Sequence, residues 1–128
     1  MRFFLAIFLA FAFGLAQDIK WSKNYETALS EALKTDKAVI LIYTMEDCSA
    51  CEYLKDITLD DENVKSYINK NFILVERDAK NKSQHIKGFP FFGSPTLYFL
   101  NKNGEQISKV MVGATTAKVF LEKLKQIK

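Results

Sequence analysis

The chain's two cysteines stand two residues apart in D-C-S-A-C-E, as Cys48 and Cys51. Such spacing serves a dithiol that exchanges with disulfides, a metal site, or covalent haem attachment. Zinc sites bring a second Cys pair or a His pair, and this chain has one pair and a single His, His85. Haem attachment needs a His directly after the second Cys, where Glu52 stands. A soft-ligand copper site from Met45, Cys48, Cys51 and His85 has no second His or spaced Met to support it, so His85 reads as a surface loop residue. A structural staple is also a poor fit, because disulfide stabilisation grows with the loop closed and this loop is almost nothing. A redox pair is the strongest reading.

A helix starting near Cys48 gives the pair its chemistry. A Cys in the first helical turn meets unpaired backbone N–H groups and the positive end of the helix dipole, which favour its thiolate. Cys51, three residues on, lies on the same side of the helix. Cys48 is then the nucleophile that attacks a partner's disulfide, and Cys51 the resolving thiol that attacks Cys48 and releases the reduced partner. Glu46 and Asp47 precede the pair, and two carboxylates there oppose the dipole and make Cys48 less acidic than in strongly oxidising dithiols. Both are also candidates for moving a proton to or from Cys51.

The elements that must position this pair follow from periodicity. Tyr25, Ala28, Leu29, Ala32 and Leu33 recur on one helical face, with Ser22 or Asn24 as cap. The run A-V-I-L-I-Y-T, residues 38–44, has no polar alternation and predicts a strand buried on both faces. Further helix is expected over 61–69 and a strand over 72–75. Residues 78–94 read as irregular and hold His85, Phe89, Pro90, Phe91 and Phe92; the aromatic residues suit a core or a partner-binding surface. A hairpin turning at 101–104 and a last helix from Thr115 or Thr116, with Phe120, Leu121, Leu124 and Ile127 inward, complete an α/β sandwich. Trp21 reads as a packing residue ahead of the first helix.

At 128 residues there is room for one domain. Residues 1–16 place Arg2 ahead of an uncharged apolar run that ends in Gly14-Leu15-Ala16. The run is short for a bilayer span and fits a cleavable secretory signal, so the mature domain is expected over 17–128 and in the periplasm or secreted. Removing residues 1–16 takes away Arg2 alone and leaves 17 basic against 15 acidic residues, which makes no case for nucleic-acid or membrane binding. Nothing in the pattern calls for more than a monomer.

The strand A-V-I-L-I-Y-T, the helix start D-C-S-A-C, then G-S-P-T-L-Y-F-L, N-K-N-G-E and V-G-A, in that order, resemble the thioredoxin superfamily over residues 21–127. The stretch C-S-A-C-E-Y-L-K-D-I-T-L-D-D-E-N-V is similar to exported thioredoxin-like domains, such as the C-terminal domain of the bacterial membrane disulfide reductant DsbD. The resemblance implies a thioredoxin-like fold, a central mixed sheet flanked by helices with a terminal hairpin and C-terminal helix. It also implies a thiol:disulfide oxidoreductase that needs no cofactor or metal, acts on protein thiols and disulfides, and exchanges electrons with a membrane or soluble redox partner. A disulfide oxidant or isomerase, or a binding module or copper chaperone on the same fold, are the alternatives.

The family's cis proline carries over to Pro95, which leaves the backbone of Ser94 free to pair with an incoming peptide. Pro90 competes for that role, and Pro95 takes it because Thr96 and a strand follow at once. Gly113 matches the family's glycine near the same groove, and equally suits an ordinary helix-entry turn. Two departures stand out: Asp47 replaces the usual Trp before the first Cys, and Ile42 replaces the buried Asp of cytosolic thioredoxins. The intervening Ser49-Ala50 does not set redox direction by itself.

Overall fold

The structure, a computed structural model, describes residues 16–128; the signal segment read from residues 1–16 lies outside the described residues except for Ala16. Strand β1, Ala38–Thr44, is buried at every position. It pairs in parallel with β2, Phe72–Asp78, from Ala38 opposite Phe72 to Thr44 opposite Asp78. On its other side it pairs antiparallel with β3, Thr96–Leu100, which pairs in turn with β4, Met111–Val112. The order β2-β1-β3-β4 gives the mixed sheet that the family resemblance implies.

Successive side chains of β1 point to opposite faces and build two cores. Ile40 and Ile42 join Leu74, Leu97 and Phe99 under α3, Glu62–Asn71, and α4, Ala117–Ile127, which contribute Val64, Ile68, Phe120 and Leu124. Val39, Leu41 and Tyr43 face α1, Tyr25–Thr35, whose Ala28 and Ala32 are fully buried. Each large apolar side chain removed from water in this way contributes about 1.5–3 kcal/mol, so truncating one at the centre undoes much of a marginal stability.

The helix starts follow ordinary capping chemistry. The side chains of Asn24, Asp61 and Thr116 accept hydrogen bonds from backbone N–H groups of the first turns of α1, α3 and α4. Asn24 is thus the cap of α1, while Ser22 uses its backbone N–H on the Leu74 carbonyl. Trp21 bridges to Leu74 and packs on the first core.

Three expectations are corrected. Leu33 is 57% exposed, because it lies about 100° further round α1 than Ala32, whose small side chain sets the centre of the buried stripe. Strand β2 runs on through Glu76, Arg77 and Asp78, beyond the expected end at Val75, since β1 offers a parallel partner for each. The second hairpin strand is only Met111–Val112 after a lone bridge at Gln106, though the turn itself closes as expected, with Gly104 at φ 81° and its N–H on the Asn101 carbonyl.

The irregular loop after β2 is tied to the sheet by two tyrosines. Tyr43 donates to the Phe89 carbonyl and accepts from the Ile86 N–H, at 2.8 and 2.9 Å, and Tyr98 donates to the Pro90 carbonyl at 2.5 Å. Burial raises the pKa of Tyr43, Tyr98 and Tyr25. On the opposite face, Lys65 lies 3.3–3.4 Å from Asp60, Asp18 and Glu62. Burial works against its charge, but the hydrogen bonds it donates to Asp60 and Asp18 outweigh that and leave its pKa raised.

All four groups therefore hold protons more tightly folded than unfolded. Their contribution is complete below about pH 10, the unfolded values, and is lost as pH rises through the folded ones. The urea midpoint is expected to fall between pH 9 and pH 11; an unchanged midpoint across that interval contradicts these assignments.

Candidate active site

The pair sits where β1 ends. After Thr44 the chain turns through Met45–Asp47, with Asp47 in the left-handed region at φ 54°, which a short polar side chain tolerates. Cys48 is extended and caps α2, Ser49–Tyr53, its sulfur accepting the Cys51 N–H at 3.1 Å. The two form a disulfide with their Cα atoms 5.2 Å apart. Cys51 is only 2% exposed, whereas Cys48 is half-buried. One sulfur can meet a partner, and the other is held behind it.

A π turn, Leu54–Thr58, continues α2 and carries Lys55. Such turns are frequent at functional sites. Buried Thr58 donates to the Thr115 carbonyl and ties this turn to the segment before α4.

The second half of the site comes from β3. Tyr43 pairs with Thr96, so the start of β3 lies beside the end of β1, from which the cysteine loop departs. The Ser94–Pro95 bond is cis, and the Pro95 carbonyl accepts the Gly113 N–H at 2.8 Å. Gly113 has φ 91°, and a Cβ there would meet no heavy atom within 4 Å, so the site demands its backbone conformation rather than its small size. Ser94 makes no backbone hydrogen bond among the described residues, and its buried hydroxyl has no partner there. Phe92, 62% exposed, and Val112, 52% exposed, leave apolar surface next to this segment.

The other residues singled out from sequence divide. Phe89 and Phe91 pack on the second core. His85 is not a free surface residue: its Nε2 lies 2.7 Å from the Ala79 carbonyl and its ring packs on Tyr43 and Phe91. Among the described residues no group of three or more His, Cys, Asp or Glu is arranged to hold a metal ion. Glu46 and Asp47 are exposed at the mouth of an open cavity of about 370 Å³.

That cavity also contains a residue that sequence reasoning passed over. Glu76 is half-buried on β2, and one of its oxygens accepts from both Thr44 Oγ1 and Lys55 Nζ at 2.8 Å. Its signal was its position: it follows Phe72 and Leu74 at alternate residues of β2 and stands opposite Ile42.

A mixed sheet covered by helices on both faces, with a Cys-x-x-Cys pair at the start of the helix after β1, defines a thioredoxin-like protein. Residues 25–128 match the Thioredoxin-like domain family, and the chain belongs to it. It is 31% identical over 90 residues to anterior gradient protein 3 of Xenopus tropicalis, covering 66% of this chain and 55% of that protein. It is 26% identical over 113 residues to the thiol:disulfide interchange protein DsbD of Ralstonia nicotianae, covering 86% of this chain and 19% of that protein. The chain thus spans about half the length of the first relative and a fifth or less of the second. A thioredoxin from Thermus thermophilus superposes with a TM-score of 0.75 at 22% identity, covering 87% of this chain and 88% of that one, which shows the shared fold.

The unequal exposure of the two sulfurs is directly measurable. In the reduced protein, limiting iodoacetamide is expected to label Cys48 at least about tenfold faster than Cys51, read by peptide mass spectrometry. Equal labelling would contradict the assignment of Cys48 as the sulfur that meets a partner.

Proposed function

We propose that this chain is an exported thiol:disulfide oxidoreductase that reduces disulfides in partner proteins. The observation that carries the reading is the arrangement of the pair, with accessible Cys48 capping a helix and Cys51 buried three residues behind it. Cys48 thiolate attacks a partner disulfide, forming a mixed disulfide and releasing one partner thiolate. Cys51 thiolate then attacks the Cys48 sulfur, the internal disulfide forms, and the second partner sulfur leaves. Two electrons pass to the partner, and a membrane or soluble redox protein returns them to the pair.

Pairing of an extended partner segment with the backbone of Ser94 is supported by its lack of a backbone hydrogen bond among the described residues and by the exposed apolar side chains of Phe92 and Val112 beside it. The reducing direction is supported by the charges around the pair. Strong oxidants owe their potential to a stabilised reduced form. Here Glu46, Asp47 and Glu52 line the cavity shared with Cys51 and disfavour a thiolate, weakly because all three are exposed. Similarity to a protein named for thiol:disulfide interchange supports exchange itself, without setting its direction. Export rests on the apolar run of residues 1–16, and the mature chain is expected to begin near Gln17.

The reading is tested by equilibrating the protein with defined thiol buffers. A reversible two-electron couple near about −270 mV is expected; a value near about −120 mV makes the protein an oxidant instead, and a pair that does not titrate removes the enzymatic reading. Cys48→Ser is expected to abolish turnover of a protein disulfide, and Cys51→Ser to accumulate a covalent complex with the partner. Turnover by Cys48→Ser at the wild-type rate would overturn the proposed order of attack.

A further inference from the structure

Resolution of the mixed disulfide requires the buried Cys51 thiol to give up its proton, and the strand beneath it offers Ile42 where a carboxylate would serve. Parallel pairing sets Glu76 directly opposite Ile42. Paired residues of neighbouring strands point to the same face of the sheet, and Ile42 belongs to the core on the side of Leu54, in the π turn that continues α2. Glu76 therefore faces the helix that carries Cys51. Both line the same solvent-open cavity of about 370 Å³, room for several waters at roughly 30 Å³ each.

We propose that Glu76 is the proton acceptor for Cys51 in the resolving step, oriented by Thr44 and Lys55. The assignment rests on the thiol–disulfide exchange proposed above and deepens it. Thr44 Oγ1 and Lys55 Nζ both donate to Oε2 of Glu76 at 2.8 Å. These bonds hold one carboxylate oxygen and leave the other for a proton. The charged and titratable groups lining the cavity with it are Lys55 on the π turn, Cys51 and Glu52 on α2, Asp78 on β2, and Glu46 and Asp47 before α2. Lys55 is the only cation among these lining groups, and its direct ion pair is with Glu76.

The step balances as a proton transfer followed by exchange. The Cys51 thiol gives its proton to the Glu76 carboxylate, directly or along water in the cavity. Cys51 thiolate attacks the Cys48 sulfur; the Cys48–Cys51 bond forms, the bond from Cys48 to the partner breaks, and the partner leaves as a thiolate. Glu76 returns the proton through the open cavity to solvent or to that leaving sulfur.

The test uses the full chain, reduced, mixed with the symmetrical disulfide of thionitrobenzoate in a stopped-flow instrument. The coloured thiolate is released first in a concentration-dependent phase, when Cys48 attacks, and again in a concentration-independent phase, when Cys51 resolves. Glu76→Gln keeps the side-chain shape and an oxygen for Thr44. It is expected to slow the second phase by about tenfold or more near pH 7 and move its pH profile to higher pH, with the first phase within about twofold of wild type. Glu76→Asp, which retains a carboxylate, is expected to restore part of the rate. Should Glu76→Gln lose its fold, Thr44→Val removes the orienting hydroxyl and is expected to slow the same phase by a smaller factor. A second phase with wild-type rate and pH profile in Glu76→Gln, or in Thr44→Val where that variant stands in, overturns the assignment and leaves exchange itself intact. Absence of any second phase in the wild type overturns the exchange reading instead.

Discussion

Strand β1 can exist only between two other strands. Val39 to Tyr43 are completely buried, so both edges of their backbone must find hydrogen-bond partners within the protein. Parallel pairing with β2 supplies one edge and antiparallel pairing with β3 the other. Their ends meet at one place: the Ala79 N–H bonds the Thr44 carbonyl, and Thr96 pairs with Tyr43. The cysteine loop, the loop after β2 and the cis proline all depart from that point. Redox geometry here is a consequence of how the central strand ends.

The same constraint governs where a carboxylate can stand. At position 42 it would have no exposure at all, and its charge would be held there at several kcal/mol unless fully paired. Ile42 removes that cost and adds to the core. One strand outward, Glu76 is only half-buried and keeps a hydroxyl and an ammonium on its oxygen. A carboxylate there avoids the full desolvation penalty, and it lines the solvent-open cavity shared with Cys51.

This division also explains what could be read from the sequence. Pro95 is legible only through the family resemblance, whereas strand β1, the cysteine pair and the buried face of α4 announce themselves through composition or spacing, because each is fixed by local rules. The end of β2 does not. The sequence reading ends that strand at Val75 and starts the irregular segment at Asp78, and only the open edge of β1 makes Glu76-Arg77-Asp78 strand. His85 reads as a lone loop residue, whereas Tyr43, on β1, packs on its ring together with Phe91 of the same loop. Leu33 fits the helical period and is left outside because the stripe that meets the sheet is centred on Ala28 and Ala32. In each case the deciding partner lies on another element, which periodicity cannot see.

Strand order then separates two kinds of traffic. Since β1 lies between β2 and β3, the cysteine loop has Glu76 on one flank and Pro95 on the other. A partner segment that pairs beside Pro95 approaches Cys48 from the β3 side, next to Phe92 and Val112. The cavity on the β2 side stays open behind Cys51, so covering the nucleophile does not seal the path by which the resolving thiol loses its proton. The loop that carries Phe92 and Pro95 is anchored through Tyr43 and Tyr98 on the opposite face of the sheet. Partner binding can therefore strain that loop without displacing Thr44, Lys55 or Glu76, and the two halves of the exchange can proceed in one small domain without competing for the same opening.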